Sequence, residues 1–98
     1  MKKKINIYKD TKLQRNQDQI FSLIDDEVVM LSIKHGEYLN LNHPASFIWE
    51  KLEHPCSLGE LADLLCGTYN VDREECIKDT LEFVTDFAEK GIIEIIPK

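Results

Sequence analysis

The chain has 98 residues, a formal net charge of −6 and 43% hydrophobic residues. That length fits one domain, which we take as residues 1–98, with a small core and little room for an enclosed active site. No apolar run approaches the length of a membrane span, and the basic start Met1-Lys2-Lys3-Lys4 is not followed by the apolar stretch of a signal peptide, so a cytoplasmic protein is expected.

Charge is unevenly placed. Residues 1–42 carry seven Lys and Arg against six Asp and Glu; residues 43–98 carry five against twelve. An acidic second half argues against nucleic acid as a partner. The cysteines Cys56, Cys66 and Cys76 are odd in number and form no Cys-x-x-Cys pair. Neither a disulfide framework nor a zinc site is indicated, and they read as small buried apolar residues.

Lys4 to Tyr8 alternates and predicts a first strand. Thr11 to Gln19 is polar and reads as loop, with Leu13 tucked inward. Ile20 to Ile24 is a short apolar run, strand or core-seeking extended chain, and Asp25-Asp26 is a turn signal. Glu27 to Ile33 is rich in strand formers. His35-Gly36 fits a two-residue hairpin loop flanked by Lys34 and Glu37, and Tyr38 to Leu41 then gives a further strand.

Three helices follow. The first starts near Asn42, a good N-cap, with Pro44 in its first turn and Ala45, Ile48, Trp49 and Leu52 on one face; His54-Pro55 stops it. The second opens on the capping box Ser57-Leu58-Gly59-Glu60, carries Leu58, Leu61, Ala62 and Leu65 on one apolar face, and is expected to end at Gly67. The third has Asp72 as N-cap, Glu75 completing a second box, Val71 and Cys76 placed for a hydrophobic staple, and a stop at Gly91; Ile92 to Ile96 is an apolar extended tail. Strands followed by three helices resemble a winged helix-turn-helix arrangement, an α+β fold.

The third helix has more apolar surface than one neighbour needs. Ile77, Leu81, Val84 and Ala88 form one stripe, and Cys76, Thr80, Phe83 and Phe87 form another. One stripe suffices for the other helices; the second is expected to face the sheet, a partner or another copy, unless both are core. A DNA-reading helix needs cations, whereas here Asp72, Glu74, Glu75, Asp79, Glu82, Asp86 and Glu89 outnumber Arg73, Lys78 and Lys90. A winged-helix DNA-binding regulator stays as the alternative.

No catalytic constellation emerges. His35, His43 and His54 sit at turns or helix edges, outside any His-Glu-x-x-His pattern, and there is no phosphate loop or Gly-x-Ser-x-Gly elbow. Adjacency of His54 and Cys56 in the chain is not the spatial pairing of a thiol nucleophile. A polar turn is the plain reading of Asp25-Asp26-Glu27. These absences point to a binding module that is not an enzyme, with no cofactor and no metal.

One combination of motifs is more specific. Gly36-Glu37-Tyr38-Leu39-Asn40-Leu41-Asn42, then Ala45-Ser46, Ile48-Trp49-Glu50 and Leu52, resembles the Gly-x-Tyr-x-x-Leu-Asn … small-small-x-Ile-Trp-Glu-x-Leu pattern of the PqqD-like family. Thr68 to Asp72, Asp79, Phe83 and Glu89-Lys90-Gly91-Ile92-Ile93 fit as well, so the likeness covers about residues 26–96. Phe47 departs from it, standing where relatives are often polar, and the first 25 residues match little.

The family comprises recognition elements for the precursors of ribosomally made, modified peptides. The resemblance implies a three-stranded antiparallel sheet followed by three helices. It also implies a leader peptide bound as an added strand between the third strand and the third helix, antiparallel to that strand. The partner is then a radical SAM enzyme or, in lasso-peptide pathways, a separate leader peptidase; the pattern looks closer to the lasso proteins. The expected peptide contacts are Glu37, Tyr38, Leu39, Asn40 and Leu41 on the strand, and Cys76, Asp79, Thr80, Phe83, Val84 and Phe87 on the helix. The acids of that helix would favour a leader carrying Lys or Arg.

Overall fold

The computed structural model describes residues 5–32 and 36–96. In chain order the elements are β1 (Lys12–Arg15), β2 (Phe21–Ile24), β3 (Glu27–Ser32), β4 (Glu37–Asn40), α1 (His43–Lys51), β5 (Cys56–Ser57), α2 (Leu58–Thr68), α3 (Arg73–Glu89) and β6 (Ile93–Ile96). The strands form two three-stranded antiparallel sheets, one ordered β2-β3-β4 and the other β5-β1-β6. The fold is therefore α+β.

The β2-β3-β4 meander follows from local chemistry. Asp25 and Asp26 turn β2 into β3, both with positive φ (52° and 66°), the geometry that matches the twist of two-residue hairpins and that Asp tolerates. Gly36 enters β4 with φ 62°. Lys34 and His35, expected in the same turn, lie outside the described residues. On β3, Val28, Met30 and Ser32 point inward and are buried, while the alternate residues are half-buried.

The other sheet departs from expectation. Residues 5–8 form no strand; the strand is Lys12–Arg15, within the stretch that reads as loop. Leu13 is fully buried there, as expected, because its strand is the middle one of the sheet, paired with β5 and β6 brought in from far along the chain. The tail expected at Ile92 to Ile96 supplies β6.

Each helix starts where its cap stands. The side chains of Asn42, Ser57 and Asp72 accept the backbone N–H of Ala45 (2.9 Å), Glu60 (3.1 Å) and Glu75 (3.2 Å). α3 ends in a Schellman motif: Ile92 N–H donates to Phe87 O (2.9 Å), Gly91 N–H donates to Ala88 O (3.1 Å), and Gly91 has φ 77°. α2 passes through Gly67, the expected stop, to Thr68; Tyr69 N–H donates to Leu65 O (2.8 Å). Tyr69 is half-buried and packs edge-on against Phe47 (centroids 6.1 Å), which extends the last turn and gives the atypical Phe47 a packing partner.

One core joins these parts. Trp49 is fully buried, edge-on to Phe21 at 5.5 Å, and the Arg15 guanidinium lies over both rings at 5.5 and 4.9 Å. Around them pack Leu13, Val28, Met30, Leu52, Leu61 and Val84.

Candidate functional site

β4 is an edge of its sheet. The pairing register puts Leu39 opposite Met30 and Tyr38 opposite Leu31, and Leu41 N–H donates to Val28 O at 2.8 Å. Bonded and non-bonded pairs alternate along an antiparallel ladder. The backbone groups of Glu37, Leu39 and Leu41 therefore face β3, while those of Tyr38 and Asn40 face away from it. These outward N–H and C=O groups are what a further strand would need.

The last rung of this ladder has an unusual form. Val28 N–H does not return directly to Leu41 O. It donates to Ser46 Oγ (2.9 Å), and the hydroxyl donates to Leu41 O (3.1 Å). Ser46 is buried on α1, so its side chain stitches that helix into the end of β4. The edge strand is thereby held against a helix as well as against β3.

A groove opens where β4 passes into α1. One hollow of about 500 Å³ is lined by Asn42, Pro44, Ala45 and Ile48 of the α1 segment, Leu65 of α2, and Asp79, Thr80, Glu82, Phe83 and Asp86 of α3. A second of about 430 Å³ shares Pro44, Leu65 and Asp79 with it and continues past Tyr69, Val71 and Cys76. The floor is apolar and the α3 rim is acidic.

The expected contact residues divide between this groove and the core. Glu37, Tyr38 and Asn40 are exposed on the edge strand and Leu39 is half-buried, whereas Leu41 is buried. Asp79 is exposed and Phe83 half-buried on the groove, and Cys76 and Thr80 contribute to its floor although both are nearly inaccessible. Val84 and Phe87 are core residues and line neither hollow.

The two stripes of α3 are thus not divided as the spacing suggested. The buried line is Cys76, Thr80, Val84 and Phe87, drawn from both stripes, with Ile77, Leu81, Phe83 and Ala88 half-buried at its flanks. Neighbours on two sides, α2 and β6, rotate the helix so that Val84 turns inward and Phe83 outward. Phe83 stacks on Phe87 (4.3 Å), so the core holds the groove-facing ring in place. Sequence reasoning missed Leu65, Tyr69 and Pro44 as groove residues; the apolar periodicity of α2 marked Leu65 only as core.

The site's chemistry suits binding. Burial pushes the Cys76 thiol up, and neighbouring Cys66 adds to the effect. Burial also raises Cys56, with Glu60 beside it acting in the same direction. Both thiols stay protonated at neutral pH, the opposite of an activated nucleophile.

Comparison with known proteins identifies the family. The family model for coenzyme PQQ synthesis protein D (PqqD) matches residues 27–93. No curated protein sequence matches the chain. Among solved structures, it is similar to TbiB1 in complex with the TbiA(β) leader peptide, at 32% identity and TM-score 0.74, over 87% of this chain and 99% of that one. It is also similar to lasso peptide synthetase B1 complexed with the leader peptide, at 28% identity and TM-score 0.68, over 87% and 98%. The PqqD truncation of Methylobacterium extorquens PqqCD, described as a functional, stand-alone RiPP recognition element, shares the fold at 15% identity and TM-score 0.73, over 91% and 95%. With a family model spanning more than half of its length and a relative at 32% identity over most of both chains, this chain belongs to the PqqD family.

Proposed function

We propose that the chain binds the leader segment of a ribosomally made precursor peptide as a strand added to β4, and holds it for a separate enzyme. The observation that carries this is the open edge at Tyr38 and Asn40, on a strand that leads through Asn42 into an apolar groove floored by α1 and α2 and walled by α3. Main-chain bonds along the edge would supply affinity with little sequence demand, and the groove would select alternate side chains. An antiparallel guest continues the pairing of its own sheet. Two of the similar solved structures hold leader peptides.

The function proposed is an adaptor in lasso-peptide or related biosynthesis, working in the cytoplasm without catalysis of its own. The collecting enzyme is a leader peptidase or another maturation enzyme such as a radical SAM protein. The DNA-binding alternative has no support in the charge of α3, whose groove-facing rim is acidic.

The pairing register gives a direct test. The labelled protein is titrated with the leader of the precursor peptide encoded beside it, and backbone hydrogen exchange is followed by NMR. Tyr38 and Asn40 amides should gain protection, while Leu39, already bonded to β3, should change little. Binding that leaves both outward amides unprotected would remove the strand-addition reading.

A further inference from the structure

We propose that the groove selects guests carrying Lys or Arg at alternate positions beside apolar residues, the cations seating against Asp79 and Glu82. This rests on the strand-addition reading and specifies the class of peptide that the same site accepts.

The lining of both hollows holds Asp72, Glu75, Asp79, Glu82 and Asp86 and no Lys, Arg or His. Asp86 is engaged by Lys90 at 3.2 Å, whereas Asp79 and Glu82 have no ion pair among the described residues. A helix rises about 1.5 Å per residue, so Asp79, Glu82 and Asp86 follow one another at about 4.5 and about 6 Å along the rim. Same-face residues of a strand repeat every ~6.7 Å. Two cations at positions i and i+2 of a guest therefore come within side-chain reach of Asp79 and Glu82, while apolar residues further along the same face, at i−2 or i+4, meet Ala45, Ile48 and Phe83.

A second observation marks the groove as built for a ligand. Thr80 is 1% exposed, lines the floor between the two acids, and its Oγ1 has no nitrogen or oxygen partner, only the Cys76 thiol beside it. Buried hydroxyls are rarely left so. The net charge of −6 adds a long-range attraction for the same class of peptide and a repulsion for acidic ones.

The test is a selection from a random 12-residue peptide display library on the full chain, followed by affinity and NMR measurements on the selected peptides. Binders should be enriched about threefold or more in Lys and Arg over the library. Their affinity should fall about tenfold when salt rises from about 50 to 300 mM, as screening shortens the reach of the rim. The double variant Asp79→Asn, Glu82→Gln changes two exposed side chains outside the core. Its native spectrum should persist, while the same binders lose about tenfold in affinity and most of their salt dependence. Binders that protect the Tyr38 and Asn40 amides yet show no basic preference, or bind the double variant equally well, overturn the proposal alone. No binder at all, or binders that leave those amides exposed, overturns strand addition and this proposal with it.

Discussion

Ser46→Ala tests how the edge strand is held. The Ser46 hydroxyl closes the last rung of the β3-β4 ladder, accepting from Val28 N–H at 2.9 Å and donating to Leu41 O at 3.1 Å, in a site where Ser46 is 3% exposed. Removing one oxygen strands a buried N–H and a buried C=O together. A buried polar group left without its partner costs ~1–3 kcal/mol, the N–H more than the carbonyl, which has a second lone pair. Partial closing of the two strands recovers some of this, so the expected loss is about 2–3 kcal/mol. For a domain of this size that lowers Tm by roughly 10–20 °C. It is a large share of the 5–15 kcal/mol typical of a folded domain, but not all of it.

The assay is chemical denaturation of both proteins, paired with native-state hydrogen exchange. Global stability should fall by the stated amount, and the Val28 and Leu41 amides should exchange faster than the rest of the β3-β4 ladder. A loss below about 0.5 kcal/mol would mean that Val28 N–H reaches Leu41 O directly once the hydroxyl is gone. The bridging role given to Ser46 would then be wrong.

Phe83→Ala removes the aromatic wall of the groove and should weaken leader binding by about 1–3 kcal/mol, measured by calorimetry on a variant shown to be folded. Gly91→Ala forces a Cβ into a φ of 77° at the end of α3 and should cost about 1–2 kcal/mol in urea unfolding. The Glu60 carboxyl is held below its usual range by the hydrogen bond from Lys12 (2.7 Å) and then by that from Ser57. A depressed carboxylate stabilises the fold above its unfolded pKa, and that contribution disappears as pH falls through the folded value. Stability should therefore drop on acidification below about pH 4.5, and Glu60→Gln should flatten that part of the profile in a pH series of thermal melts.

The helices were legible because their signals are local. Asn42, Ser57 and Asp72 cap backbone groups three residues ahead, and Gly91 is the residue that a left-handed helix end prefers. Apolar periodicity placed Ile48, Trp49, Leu61 and Leu65 in the core correctly, since a repeat of three or four residues needs no knowledge of the partner. The meander was legible for the same reason, with two aspartates at one turn and a glycine at the next.

What distance decides was not legible. β1 holds one fully buried apolar residue, Leu13, and gains its strand character from Cys56-Ser57 and Ile93 to Ile96, more than 40 residues away. Such short segments have no stability by themselves, so their own composition carries almost no strand signal. The candidate site shows the same division. The edge at Tyr38 to Asn40 and the surplus apolar surface of α3 can be read from the chain, but which residues of α3 face the groove depends on its rotation against α2 and β6. Spacing alone grouped Phe83 with Phe87; packing buried Phe87 and left Phe83 at the groove. Sequence determined the three helices, the β2-β3-β4 meander, their order and their charge. Tertiary structure alone decided the second sheet, the Ser46 bridge and the groove wall, because each depends on surfaces that meet only after the helices have docked.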